Sequence, residues 1–328
     1  MSHRTHVRDL PERAMRSALL SLSHRRSLGR LATRLPITRP MVARFVAGET
    51  LDAALPAIER LRAAGLRTTV AVLGESVRAP EAARAATDAY LALLDALAAK
   101  GLDRNVSLKL TQMGLRIDPA LARENVGRIV ERAAALGAFV RIDMEDHPTT
   151  DATLALWRDV RPEALVRETT AADVGVVIQA ALRRSSSDVA AILADGGRIR
   201  LCKGAYKEPS SVAHQAREDV DGAFEELMLR LIRDGAYHAI ASHDEQLVDR
   251  AIAVANAEGI GPERFEFQML FGVRRDLQDR LVRDGWTVRV YVPLGREWYP
   301  YFMRRLAERP ANVAFLLRTL WRERRAGR

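Results

Sequence analysis

Eight short β-like runs alternate with amphipathic helical segments, and that alternation constrains the fold of this chain more than any other feature. The runs are Thr68–Leu73, Val106–Leu110, Phe139–Met144, Val174–Ala180, Ile199–Lys203, His238–Ser242, Phe265–Met269 and Val288–Val292. Helical periodicity fills the intervals, as in Pro80–Ala99, Leu121–Leu136, Val212–Ile232 and Asp244–Ala257. Cap-like signals, among them Ser210–Ser211 and Ser242–His243–Asp244, open several of them, and Lys100 closes one before Gly101. The runs start about 23 to 40 residues apart, the length of a strand, a crossover helix and the next parallel strand. Eight such units predict an α/β fold, a single (β/α)8 barrel of the TIM type, over residues 61–328, with a helix at its C-terminal end and a helical extension over residues 1–60. An open doubly wound sheet is the competitor, but no Gly-x-Gly-x-x-Gly follows the first run.

A parallel barrel places its chemistry at the C-terminal ends of its strands. Polar residues expected there are Glu75, Lys109, Asp143, Glu145, Asp146, Gln179, Arg200, Lys203, His243, Gln268 and Tyr291. Composition narrows what they can do. The single cysteine, Cys202, excludes a disulfide framework and a cysteine-based zinc site, and it fits a reducing cytoplasm. No run approaches the roughly 18 apolar residues of a membrane-spanning helix. Net charge is +9, carried by the ends: residues 1–34 hold eight Arg against Asp9 and Glu12, and residues 318–328 hold five Arg against Glu323. The body is near neutral, which argues against nucleic-acid binding along the barrel and leaves the basic termini to contact an anionic membrane surface. Leu19, Leu20, Leu22, Leu28 and Leu31 suggest that the N-terminal arginines sit on a helical element rather than in a transit peptide.

Forty-seven of the 51 basic residues are arginine, so the four lysines, Lys100, Lys109, Lys203 and Lys207, stand out. Alternation puts Ser107 and Lys109 on one face of their strand and Leu108 and Leu110 on the other. A lysine facing a barrel axis needs an anion, so Lys109 is expected either to anchor an anionic substrate or to form a Schiff base. Asp143 lies among Arg141, Glu145, Asp146 and His147; this cluster suits acid–base or metal chemistry, with plain ion pairing to Arg141 as the structural alternative. Arg198, Arg200 and Lys203 crowd one strand before Gly204, where bare backbone can approach a phosphate or an electron-rich ring. Beyond the last strand, Tyr301, Arg304, Arg305 and Glu308 share one helix face, and paired arginines suit a carboxylate.

Six segments in order, Phe45-Val-Ala-Gly-Glu-Thr50, Ser107-Leu-Lys-Leu-Thr111, Arg141-Ile-Asp-Met-Glu-Asp146, Arg200-Leu-Cys-Lys-Gly-Ala-Tyr206, Phe265-Glu-Phe-Gln-Met-Leu270 and Arg304-Arg-Leu-Ala-Glu308, resemble the bacterial monofunctional proline dehydrogenases. The resemblance runs from about residue 40 to 315. It implies a distorted (β/α)8 barrel that binds FAD and oxidises L-proline to Δ1-pyrroline-5-carboxylate by hydride transfer to flavin N5, passing electrons to a membrane quinone. The single cysteine leads to the expectation of a cytoplasmic protein, and the basic termini leave peripheral contact with the inner face of the membrane open. Carried over by position, the resemblance assigns the substrate carboxylate to Arg304, Arg305 and Lys109, and the substrate ring to Tyr291. Asp143 and Arg200 become catalytic residues, the latter beside the flavin. FAD contacts fall to Met144, Gln179, Arg200, Lys203, Gly204, Ala205, Ser242, His243 and Glu308, and no metal is implied. Ser242 replaces the Thr of some members and Phe271 the Tyr of many. A Schiff-base barrel aldolase using Lys109 or Lys203 is the rival enzyme. An adaptor binding membrane or nucleic acid through its basic ends is the non-enzymatic alternative.

Overall fold

Eight parallel strands close into a barrel in sequence order. The structure is a computed structural model and describes residues 42–161 and 173–308. The strands are β1 (Arg67–Val72), β2 (Asn105–Lys109), β3 (Phe139–Asp143), β4 (Asp173–Gln179), β5 (Ile199–Cys202), β6 (His238–Ala241), β7 (Phe265–Leu270) and β8 (Val288–Leu294). The described helices are α1 (Leu51–Ala63), α2 (Pro80–Ala99), α3 (Pro119–Ala135), α4 (Thr150–Val160), α5 (Ser185–Ala194), α6 (Arg217–Asp234), α7 (Glu245–Ala257), α8 (Arg275–Arg283) and α9 (Trp298–Glu308). All eight strand-like runs of the sequence are strands, each shifted at its ends by no more than two residues.

The same alternation that marked the strands builds two cores. Val106, Leu108, Val140, Ile142, Val176, Ile178, Ile199 and Leu201 alternate away from the barrel axis and are buried, the ordinary apolar contact of strand with helix. The other face is unusual. In-register pairs Ser107 with Arg141, Lys109 with Asp143, and Val177 with Arg200 put charge where aliphatic layers usually fill such a barrel. Lower in the barrel Arg289 Nε donates to both Glu266 oxygens at 2.8 and 3.0 Å, and its Nη1 donates to Thr68 O at 2.8 Å. Gly175 makes room for this polar interior, because a Cβ there would come within 2.3 Å of Arg141 Nη1.

Two helix starts show why local signals succeed or fail. Asp118 caps α3 by accepting from Ala120 N at 2.9 Å, with Pro119 in the first position, as a start signal should. Ser210–Ser211 does not start a helix; α6 begins at Arg217. Residues after the serines are instead drawn onto the loop beyond β4, where Arg183 N donates to Val212 O at 2.9 Å and His214 N to Ala181 O at 2.8 Å. Leu182 and Ala213 form an antiparallel bridge there. Tertiary pairing satisfies backbone groups that an earlier helix turn would have used.

The chain divides into two compact units. Leu55–Val292 is one; among the described residues, 42–54 and 293–308 form the other. In the second, Ala47 N donates to Pro293 O and Gly295 N to Gly48 O, each at 2.9 Å. Phe45 and Trp298 pack on Phe302, with ring centroids 6.2 and 6.0 Å apart. The leucines and arginines of residues 1–34 and the basic stretch 318–328 lie outside the described residues. No described helix is long and apolar enough to cross a membrane.

Candidate active site

Asp143, the last residue of β3, is the centre of the site. Its Oδ1 accepts from Ser107 Oγ at 2.6 Å and from Arg200 Nη1 at 2.8 Å. Its Oδ2 accepts from Lys109 Nζ at 3.2 Å and from Tyr291 OH at 3.0 Å. Arg200 Nη1 also donates to Ser107 Oγ at 3.0 Å, and the guanidinium lies 5.4 Å from the centroid of the Tyr291 ring. Residues from β2, β3, β5 and β8 thus converge across the barrel, as lumen-facing positions of different strands must.

Charge balance dictates the protonation states. Burial alone would raise the Asp143 carboxyl, but Lys109 and Arg200, with hydrogen bonds from Ser107 and Tyr291, hold it below the ordinary carboxylate range. Burial likewise opposes the Lys109 charge, yet Asp143, Tyr206, Glu75 and Glu145 keep its pKa above the ordinary lysine value. Two cations share one close carboxylate, which leaves the cluster suited to a further anion. A Lys109 held protonated is a poor amine nucleophile, the opposite of what a Schiff-base aldolase requires. Cys202 is no nucleophile either, since burial pushes its thiol up to about 12.

Asp143 does not pair with Arg141, although it is ion-paired with other cations. Arg141 Nη1 donates to the carbonyls of Val176 and Arg198 at 3.2 and 2.8 Å, while Asp143 takes Lys109 and Arg200. The neighbouring acids also diverge. Asp146 pairs with Arg116, and Glu145 accepts from Thr111 N at 2.9 Å and Thr111 Oγ1 at 2.6 Å. His147 Nδ1 lies 2.5 Å from Glu208 Oε2. Three carboxylates close in sequence therefore serve three separate sets of partners.

Several of the other expected residues stand at or just after the ends of β3, β4, β5 and β6. Gln179 ends β4 and donates from Nε2 to Glu145 O at 2.8 Å. Met144 is buried directly after Asp143. Gly204 has φ +115°, and a Cβ there would lie 3.2 Å from Ala181 Cβ and 3.4 Å from Gln179 Oε1. Ala205 beside it is exposed. Lys203 binds Asp221 Oδ1 at 2.5 Å and Asp244 Oδ2 at 3.0 Å. Ser242 Oγ accepts from Asp244 N at 3.1 Å, and His243 Nε2 accepts from Leu270 N at 2.9 Å, which fixes that nitrogen as the unprotonated one. Gln268 is turned to the lower barrel, where its Nε2 meets Glu266 Oε1 at 2.5 Å. Arg304 and Arg305 belong to α9 in the other unit; Arg305 is buried, 5.1 Å from the Tyr301 ring centroid. Glu308 is the last residue of α9, and its side chain lies outside the described part.

Sequence reasoning left out Ser107 as a site residue, although its place two positions before Lys109 already put it on the same face. It also left out the partnership of Glu145 with Thr111, which no periodicity signals because both follow their strands. Among the described residues, Arg200 Nε and Nη2 are buried with no hydrogen-bond partner. Donors of that kind, beside bare backbone at Gly204, fit a polarisable ring system and its phosphates.

A closed parallel barrel with a charged, carboxylate-centred site at its strand ends defines a (β/α)8 enzyme. The family described as proline dehydrogenase matches residues 54–318, and the chain belongs to that oxidoreductase family. It is 39% identical over 305 residues to the proline dehydrogenase of Deinococcus radiodurans, covering 92% of this chain and 96% of that one. Proline dehydrogenase 2 of Bacillus subtilis is 38% identical over 278 residues, covering 85% and 89%. Among solved structures, proline utilization A from Bdellovibrio bacteriovorus, inactivated by N-propargylglycine, superposes with a TM-score of 0.75 at 25% identity. That match covers 82% of this chain and 32% of the longer one. Membership implies a flavin cofactor, and the aldolase alternative finds no support.

Proposed function

We propose that this chain oxidises L-proline to Δ1-pyrroline-5-carboxylate with FAD and delivers the electrons to a quinone. The observation that carries the reading is the Asp143 network, in which Lys109 at 3.2 Å, Arg200 at 2.8 Å and Tyr291 at 3.0 Å are held by one carboxylate. FAD, when bound, supplies the two-electron acceptor for the hydride lost from the ring carbon next to the substrate nitrogen. What the protein supplies is binding, orientation and electrostatics.

Lys109 keeps its proton and presents an ammonium to the substrate carboxylate; Arg304 and Arg305 are proposed as carboxylate ligands from the family resemblance alone. Asp143 orients Lys109, Arg200 and Tyr291 together, so that a single carboxylate sets three contacts. The Tyr291 ring lines the substrate ring, and its hydroxyl, donated to Asp143, fixes the ring plane. Arg200 has Nη1 committed to Asp143 and Ser107 and keeps Nε and Nη2 for the cofactor, where positive charge favours the electron-rich reduced ring. Met144, Gln179, Lys203, Gly204, Ala205, Ser242, His243 and Glu308 are the proposed FAD contacts. The basic ends are proposed to bring the protein to an anionic membrane where quinone is held.

The test is the visible spectrum of the purified protein before and after anaerobic addition of L-proline. Two flavin bands that bleach are the expected result. Bands that persist refute proline as substrate, and a colourless protein that takes up no added FAD refutes the cofactor.

A further inference from the structure

We propose that Glu145 is a positioning residue for substrate binding: it ties the turn after Lys109 to the loop after β1 and so fixes where the Lys109 ammonium stands. The inference rests on the proposed proline site. Glu145 touches neither Lys109 Nζ nor Asp143 by hydrogen bond; it acts on the backbone that follows Lys109. Its Oε2 accepts from Thr111 N at 2.9 Å and its Oε1 from Thr111 Oγ1 at 2.6 Å. The two amides after Thr111, those of Gln112 and Met113, turn back to Lys109 O at 3.1 and 3.2 Å. The carboxylate thus completes the amide accounting of the turn that begins at the lysine.

The tie extends in both directions. Thr111 Oγ1 accepts from Ser76 N at 2.8 Å, and Thr111 O accepts from Val77 N at 3.2 Å. Ser76 has φ +51°, a left-handed conformation that a non-glycine residue keeps only when its surroundings impose it. Glu75, one residue earlier, is among the charges that raise Lys109. On the other side Gln179 Nε2 holds Glu145 O at 2.8 Å. One buried residue, through its carboxylate and its backbone carbonyl, therefore links the ends of β1, β2, β3 and β4. Burial raises its pKa against the hydrogen bonds from Thr111 and the charge of Lys109. A carboxylate is retained at that cost where a neutral residue could fill the space, and the ionised form makes the stronger bonds to two converging donors.

The variants are Glu145→Gln, Thr111→Val and Thr111→Ser, in the full-length holoenzyme. Glutamine keeps an oxygen for Thr111 N but turns its NH2 toward Thr111 Oγ1, which must reverse from donor to acceptor and loses its charge-assisted bond. Valine removes the hydroxyl that links Glu145 to Ser76. Both should raise KM for L-proline about tenfold, equivalent to about 1.4 kcal/mol, with kcat changed far less and flavin content unaltered. Amide hydrogen exchange at residues 74–78 and 110–113 should quicken in both without proline present. Thr111→Ser keeps the hydroxyl and should restore the wild-type KM and exchange. Should Glu145→Gln fail to fold, the Thr111 pair decides alone. A wild-type KM in flavin-loaded Glu145→Gln, a loss confined to kcat, unchanged exchange, or a Thr111→Ser variant as impaired as Thr111→Val overturns the inference. A wild-type enzyme that L-proline does not reduce refutes the proposed function, and is recognised before any variant is made.

Discussion

Replacing Asp143 by Asn tests the centre of the site while keeping its shape. The amide oxygen can still accept from Ser107 and Arg200 in place of Oδ1, now at 2.6 and 2.8 Å. The NH2 falls where Oδ2 accepts from Lys109 and Tyr291, so the Lys109 contact becomes a donor-to-donor encounter and the Tyr291 hydroxyl must reverse from donor to acceptor. Lys109 and Arg200 then share a buried site with no carboxylate between them. Removing one partner of a buried pair costs roughly 3–5 kcal/mol, and the partial exposure of Lys109 brings the expected loss of stability to about 2–4 kcal/mol. The kinetic cost is expected near 100-fold in kcat/KM, about 2.7 kcal/mol, because the ammonium and the tyrosine lose their common anchor. Thermal unfolding and anaerobic stopped-flow reduction by L-proline measure the two quantities. The pH dependence has a definite sign. The folded Asp143 pKa is depressed, so its contribution is present above the unfolded carboxylate range and is lost as pH falls through the folded value. The gap in stability between wild type and Asp143→Asn should therefore narrow only on the acid side. A variant with wild-type Tm and wild-type kcat/KM would refute the reasoning.

Four further outcomes are expected, the first from the family resemblance and the others from the geometry. Arg305→Met should raise KM for L-proline steeply with flavin still bound, and an unchanged KM would remove Arg305 from the carboxylate site. Gly204→Ala forces a Cβ to 3.2 Å from Ala181 Cβ at φ +115°, which should cost about 1–3 kcal/mol and lower the flavin-to-protein ratio. Glu266→Ala strips the buried Arg289 of its carboxylate and should lower stability by about 3–5 kcal/mol while leaving KM alone, a contrast with Asp143→Asn that denaturant melts and kinetics will show. Glu145, whose folded pKa is raised, destabilises as pH climbs through the window just above the normal glutamate range. Glu145→Gln should accordingly gain stability relative to wild type across that window, and parallel melts that do not diverge would contradict it.

Strand positions were legible because period-2 alternation and β-branched runs are local properties of the chain. Asp118 before Pro119 is an equally local start signal that the periodicity passed over by placing the helix from Leu121, and α3 starts there. Ser210–Ser211 carried the same kind of signal, yet the segment after it pairs with the loop beyond β4, and long-range hydrogen bonds outweighed the cap. In the site, Lys109, Asp143, Arg200 and Tyr291 could be nominated one by one from strand ends. Their meeting at one carboxylate could not, because it depends on the stagger that closes eight strands into a barrel.

The amino-acid order alone therefore decided which residues face the barrel axis, since alternation assigns each side chain to a face before any partner is known. Only the tertiary structure decided which of those axial charges meet. Asp143 takes Lys109 and Arg200, Arg141 settles on backbone carbonyls, and Glu266 takes Arg289. Polar contacts at this range are set by a few ångströms of register and tilt between strand residues 23 to 148 positions apart in the chain, such as Glu266 with Arg289 and Tyr291 with Asp143.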